Sequence, residues 1–410
     1  MDRIGLYLNG MSGKRLFALD DAILKNLEDV KSFGVAQQNN VNSVPDILIQ
    51  IARDDDDSGA QWTGLRRFSL NDMFKANFDP RETRYMPNAP TMLSEAALKD
   101  FLNALVPDES TPERTVLVLG GHADGAGVVL DDFPVLKQLY SSSVVLTSVI
   151  QDYVGDVTPH WLSSQEFVAA IGLITERYVG KRLGVIAFDA CENASLELAT
   201  EMAPYAHYLV ASETGSPSDG WGYADWPSTV LGEAVNAKEA AAGLVASYAT
   251  RISSQNSQQR ASLTGLKLDA INDLCEALFG LSNLVLVDDN KLRQLMDVRS
   301  SFSPLIEREF FRVDIKSFFE TLGDEPGVDA DIQIAAKKIV SAVDDMVESR
   351  FWSTKNAGVS GVSIVFPFLR LEFLSNWKDV YMDRQYFPQF KAKTRWHEVL
   401  VAIYAKSRES

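Results

Sequence analysis

Two cysteines and four histidines carry all the thiol and imidazole chemistry available to this 410-residue chain. Among the histidines (122, 160, 207 and 397), only His122 runs straight on from a strand of buried type. It stands in Gly120-Gly121-His122-Ala123-Asp124-Gly125, after the apolar run Thr115–Leu119. Cys191 has the same setting, in Phe188-Asp189-Ala190-Cys191 after Gly184–Phe188. Active sites in open α/β sheets collect at the carboxyl ends of strands. If the two strands are neighbours, imidazole and thiol come within reach. A thiolate is the reactive form of cysteine, and imidazole can take its proton and later return one to a leaving amine. Asp189 and Cys191, two residues apart on one strand, point to the same side. The plainer readings are a small core cysteine and a hydrogen-bonded loop histidine. Cys275 sits mid-helix in Asn272–Glu276 and reads as core or interface. No Cys and His combination has zinc-ligand spacing, so no metal site is expected.

The elements that must position this pair alternate through the first half. Ile4–Leu8, Asp46–Ala52, Thr115–Leu119, Gly184–Phe188 and Tyr208–Ala211 read as short strands. Asp20–Phe33, Glu95–Leu105, Ser163–Tyr178 and Ser195–Ala203 carry apolar residues at helical spacing. Strands apolar on both faces belong in a mostly parallel sheet covered by helices. The amides at the start of the Ser195–Ala203 helix would favour negative charge near Cys191. Residues 1–235 form the expected catalytic core. Residues 236–410 read as mainly helical, including Ala237–Arg251 and Ala330–Arg350, with a late strand at 361–366 returning to the core sheet. Asn9-Gly10-Met11-Ser12-Gly13 lacks the spacing of a dinucleotide fingerprint, and no Gly-x-Ser-x-Gly elbow is present.

Composition narrows the function classes. The net charge is −17, which disfavours nucleic acid and anionic membranes as partners, since both require a surplus of Lys and Arg. No apolar run reaches the roughly 18 residues of a spanning helix. Met1–Asn9 is too short for a secretory signal. With only two cysteines there is no disulfide framework, and the expectation is a cytoplasmic protein.

An ordered set of segments resembles the clostripain-type cysteine peptidases. It comprises Phe188-Asp189-Ala190-Cys191, Glu197-Leu198-Ala199, Tyr208–Glu213, Pro217 and Gly220-Trp221-Gly222-Tyr223. Upstream, a strand runs into His122, and Leu162-Ser163 with Glu166-Phe167 precede the nucleophile strand. Gly361–Pro367 is similar to the family's late strand. The resemblance implies a caspase-like α/β/α sandwich and a cysteine endopeptidase with Cys191 as nucleophile and His122 as its proton-transfer partner. It also implies cleavage after Arg or Lys, through an acidic pocket in which Asp189 would pair with the basic side chain. Asp219 is a second candidate for that pocket, or simply a turn residue. The family's oxyanion donors fall on the amides of Ala123 and Cys191. Glycine is usual after the family's histidine, so Ala123 is a departure. Its N–H survives, but a positive φ there would be strained. That departure keeps a second reading open, a pseudo-peptidase binding basic peptides or a partner protein. Family habit also implies a zymogen activated by proteolysis, and an intracellular setting would suit a regulated role such as bacterial defence. No cofactor is required. Ca²⁺ is left open by the run Asp54–Asp57, which a solvated turn explains as well.

Overall fold

The computed structural model describes residues 2–9, 20–41, 46–53, 64–75, 77–79, 84–85, 94–107, 111–121, 127–130, 161–217, 220–254, 260–302, 312–354, 358–367 and 387–408. In chain order, β1 (Arg3–Asn9), α1 (Asp20–Val41), β2 (Asp46–Arg53), β3 (Gly64–Ser69) and β4 (Arg84–Tyr85) come first. Next are α2 (Glu95–Leu105), β5 (Thr115–Gly120), β6 (Gly127–Leu130), β7 (Trp161–Ser163), α3 (Ser164–Arg177) and β8 (Leu183–Asp189). Then follow α4 (Leu196–Met202), β9 (Ala206–Ala211), α5 (Ala237–Ser254) and β10 (Ser262–Lys267). The last third holds α6 (Ile271–Leu286), α7 (Asp289–Ser301), β11 (Arg312–Asp314), α8 (Ile315–Asp324), α9 (Ala330–Met346), β12 (Val347–Trp352), β13 (Ser363–Val365), α10 (Pro388–Thr394) and α11 (Trp396–Ser407).

Nine strands make one sheet in the order β12-β10-β9-β8-β5-β1-β2-β3-β4. The five central strands, β9 to β2, are parallel, and each flank is closed by antiparallel pairs. Successive side chains of a strand leave on opposite faces, and each central strand feeds two cores. From β5, Leu117 and Leu119 join one core while Val116 and Val118 join the other; Ile186 and Phe188 against Val185 and Ala187 do the same on β8. Helices α2, α3, α4 and most of the C-terminal helices cover the first core, whereas α1 and α5 cover the second. Burial on both faces is why these strands read as continuous apolar runs.

Helix starts follow local chemistry. Ser94 Oγ accepts the Ala97 N–H at the head of α2 at 3.2 Å, and Asp329 accepts the Asp331 N–H at the head of α9 at 2.9 Å. The apolar stripe of α9 ends at Met346. The expected helix over Ala330–Arg350 therefore stops there, and Val347–Trp352 becomes the edge strand β12 against β10. Glu348 and Arg350 suit that position, because charged side chains blunt a sheet edge.

The late strand does not return to the central sheet as expected. β13 pairs antiparallel with β11 in a separate two-stranded sheet. Two of its N–H groups are drawn to the loop and helix after β8: Ser363 N–H donates to the Ala194 carbonyl at 2.9 Å, and Val365 N–H to the buried Glu197 at 2.8 Å. The C-terminal part instead contributes β10 and β12 to the nine-stranded sheet, with β10 hydrogen-bonded directly to β9.

Candidate active site

β8 and β5 are parallel neighbours, with Gly120 opposite Asp189. β8 ends at Asp189, and Cys191 follows two residues later as a half-buried free thiol. Its loop is held by the segment leaving β9. Ser216 N–H donates to Cys191 Sγ at 3.3 Å, and Ser216 Oγ donates to the Ala190 carbonyl at 3.2 Å. One step on, Glu192 adopts a left-handed backbone (φ 58°), with its N–H bonded to the Thr214 carbonyl at 3.0 Å. Non-glycine residues hold that region only where surrounding bonds enforce it. Ala194 N–H to Ser212 O at 2.8 Å supplies another such bond. Below them the hydroxyls of Ser212, Thr214 and Ser262 share a buried network at 3.0 Å.

The sequence placed the start of a helix behind the thiol. That helix, α4, is a single seven-residue stretch whose Leu198 amide is already capped by Ser195 Oγ at 3.2 Å. The amide that reaches Sγ comes from Ser216, a residue the sequence reading did not single out. An N–H directed at sulfur favours its anionic form.

Asp189 accepts a 2.9 Å hydrogen bond from the Tyr223 hydroxyl. Tyr223 is fully buried; burial first, then the Asp189 carboxylate, pushes its phenol pKa well above the ordinary value, so it remains a donor. Gly220 (φ 65°) closes over the same carboxylate: a methyl group there would stand 2.7 Å from Asp189 Oδ2. Tyr223 and Gly220 lie in the segment whose order carried the family resemblance, but their contact with Asp189 was not readable from it.

His122, Ala123, Asp219 and the run Asp54–Asp57 lie outside the described residues, as does His160. His207 sits beside Arg182 at 2.9 Å, and burial and that arginine lower its pKa. His397, on α11, is likewise lowered by burial. Cys275 is buried on α6, 3.4 Å from Thr200 Oγ1, and burial pushes its thiol pKa up. It is the core residue its sequence position suggested. Among the described residues no group of three or more His, Cys, Asp or Glu side chains is arranged to hold a metal ion.

Three buried glutamates tie this region to the C-terminal part. Glu213 accepts the Gly361 N–H at 2.7 Å, and Glu197 accepts the Val365 N–H at 2.8 Å. Glu201 accepts the N–H groups of Gln389 and Phe390 at 2.8 and 3.0 Å. Burial raises the Glu201 pKa from 4.5 to about 6, against the opposing pull of those two bonds.

The sequence profile of the clostripain family matches residues 166–401. No curated protein sequence matches the chain. Among solved structures, it is similar to a secreted C11 cysteine protease from Bacteroides thetaiotaomicron, with a TM-score of 0.60 at 14% identity, over 97% of this chain and 99% of that one. It is also similar to an inactive zymogen C11 protease from Parabacteroides distasonis, with a TM-score of 0.58 at 14% identity, over 96% and 98% of the two chains. A secreted Bacteroides thetaiotaomicron C11 protease bound to an irreversible peptide inhibitor gives a TM-score of 0.57 at 13% identity, over 96% and 99%.

Proposed function

The chain belongs to the clostripain family and is a cysteine protease; from that premise we propose that Cys191 is its nucleophile, His122 the proton-transfer partner, and Arg or Lys the residue before the cleaved bond. The observation that carries the reading is the pairing of β5 with β8. Gly120 faces Asp189 across two parallel strands, and His122 and Cys191 each stand two residues further along their chains. The Ser216 amide on Sγ supports a thiol held for use as an anion. In the reaction the thiolate adds to the scissile carbonyl, His122 gives a proton to the departing amine, and water then releases the acyl group from sulfur. The amides of Cys191 and Ala123 are the proposed oxyanion donors. Asp189, with one oxygen held by Tyr223, supports selection of a basic side chain by charge-assisted hydrogen bonds.

Regulation is proposed on narrower support. Activation by proteolytic processing rests on the similarity to a chain described as an inactive zymogen. An intracellular setting is proposed because two cysteines in 410 residues are too few for the disulfide framework of many secreted proteins. Among the described residues no single helix is long and apolar enough to cross a membrane.

The test is hydrolysis of fluorogenic peptides bearing Arg, Lys, Asp or Ala before the bond, by wild type and Cys191→Ala. Calcium and brief trypsin treatment followed by a trypsin inhibitor are separate variables. Cleavage after Arg or Lys that disappears in the variant is the expected result. Silence of the wild type under every condition overturns the reading in favour of a basic-peptide binder that does not cut.

A further inference from the structure

Ser262 is the first residue of β10 and is fully buried. β10 runs antiparallel to β9 with Thr264 opposite Ala211. The same register carried two residues further sets Ser262 opposite Glu213, just beyond the end of β9. There its hydroxyl accepts the N–H groups of Glu213 and Thr214, both at 3.2 Å. It also lies 3.0 Å from the hydroxyls of Ser212 and Thr214. A serine oxygen has two lone pairs and one proton. The two amides take both lone pairs, and the proton goes to Ser212 or Thr214. The whole capacity of this hydroxyl is therefore spent on one short bend, residues 212–214.

That bend holds the Cys191 loop. The Thr214 carbonyl accepts the Glu192 N–H at 3.0 Å, and the Ser212 carbonyl accepts the Ala194 N–H at 2.8 Å. Two residues past Thr214, Ser216 gives its N–H to Cys191 Sγ and its hydroxyl to the Ala190 carbonyl. Residues 212–216 thus reach the loop at 190, 191, 192 and 194. A methyl group on Gly215, between Thr214 and Ser216, would meet nothing within 4 Å, so side-chain packing does little to hold this stretch. Glu192 keeps its left-handed φ of 58° only while such bonds stay in place. Ser262 is itself fixed from the far side, where it pairs with Trp352 of β12.

We propose that Ser262 is a positioning residue for the proteolytic reaction: by holding residues 212–214, its hydroxyl fixes the Cys191 loop and keeps the Ser216 amide directed at the sulfur. The assignment rests on the proposed role of Cys191 as nucleophile. Removing the hydroxyl strands two buried amides, a cost that the chain relieves by shifting the bend. Ser216 shifts with it, and the thiolate loses its donor. The effect falls on the reactivity of the thiol, because Ser262 acts through the bend and not on the substrate.

The experiment measures kcat and KM on the best-cleaved fluorogenic peptide, and the rate of Cys191 alkylation by iodoacetamide at neutral and at alkaline pH. The proteins are wild type, Ser262→Ala, Ser262→Thr and Thr264→Val. Thr264→Val is the control, since it removes a buried hydroxyl from the same strand that has no hydrogen-bond partner among the described residues. In Ser262→Ala, kcat is expected to fall about tenfold or more with KM within about twofold of wild type. Alkylation is expected to slow about threefold or more at neutral pH and to match wild type at alkaline pH, where the thiolate forms without the amide. Ser262→Thr restores the oxygen and most of both rates, and Thr264→Val behaves as wild type. If Ser262→Ala does not fold, Ser262→Cys carries the test, because a thiol fills the site but accepts weakly. Wild-type kcat and alkylation in the folded variant, or alkylation slowed by one factor at both pH values, overturns the role of Ser262 and leaves that of Cys191 standing. A wild type that cleaves nothing, or cleavage that survives Cys191→Ala, overturns the nucleophile assignment and this role with it.

Discussion

The backbone N–H of Ser216 points at the sulfur of Cys191 from 25 residues further along the chain, at 3.3 Å. The donor is the peptide group, so the side chain at 216 matters less than its backbone. Ser216→Ala keeps the amide and loses only the hydroxyl bond to Ala190, worth about 1 kcal/mol. Alkylation of Cys191 by iodoacetamide at neutral pH is expected to stay within about threefold of wild type, whereas Ser216→Pro, which removes the N–H, is expected to slow it by about tenfold or more. Equal rates in the two variants would show that the amide does not serve the sulfur.

Gly220 offers a separate test of the proposed role of Asp189. Gly220→Ala combines a left-handed backbone with approaches of 2.7 and 2.9 Å to Asp189 and Asn26. The backbone strain costs about 1–2 kcal/mol. Cleavage after basic residues is expected to vanish while iodoacetamide still labels Cys191. Retained cleavage in a folded variant would mean that substrate does not pass this glycine.

Glu201 sets a pH dependence. Its folded pKa is raised to about 6 from an ordinary value of 4.5. The folded state thus holds the proton more tightly than the unfolded one. The associated stability is fully present below about pH 4.5 and is lost as pH rises through about 6; the difference is about 2 kcal/mol. Glu201→Gln retains an acceptor for the Gln389 and Phe390 amides. Urea midpoints measured from pH 4.5 to 7 are expected to show that this contribution to the fall is missing in the variant. Parallel curves would refute it.

The two thiols should separate cleanly. Cys275 is buried with a raised pKa and packs against Thr200, whereas Cys191 is half-buried. Mass spectrometry after neutral-pH alkylation is expected to find one adduct, on Cys191, in the native protein and two in urea. Labelling of Cys275 in the folded state would indicate local opening of α6.

Much of this arrangement was legible in the sequence where burial is symmetrical. β5 and β8 are apolar on both faces, so their runs stood out, and the residues that follow them could be located as strand ends. The Glu95–Leu105 helix was readable to the residue, since Ser94 caps it and Leu98, Phe101, Leu102 and Leu105 face inward. β12 was not legible, because its half-exposed Val347–Trp352 continues directly from the periodic residues of α9 and carries charges on a sheet edge. β13 misled for a different reason: its residues look like any buried strand, while its partners, β11 on one hand and the Ala194 carbonyl and Glu197 on the other, lie far from it in the chain. At the site, Asp189 and Cys191 could be found from one strand end. Ser216 and Tyr223 come to them from 25 and 34 residues further along the chain, and such scattered polar residues carry no local signal of their meeting.

The bracing of the Cys191 loop by late segments has a consequence for synthesis. Ala194 and the glutamates at 197, 201 and 213 all take their N–H partners from residues 361–390. A ribosome delivers the thiol some 170 residues before the first of those partners. Throughout that interval the nascent chain carries the Cys191 loop without the N–H partners that brace it in the folded protein. The order of translation itself therefore leaves this bracing unmade until residues 361–390 have emerged.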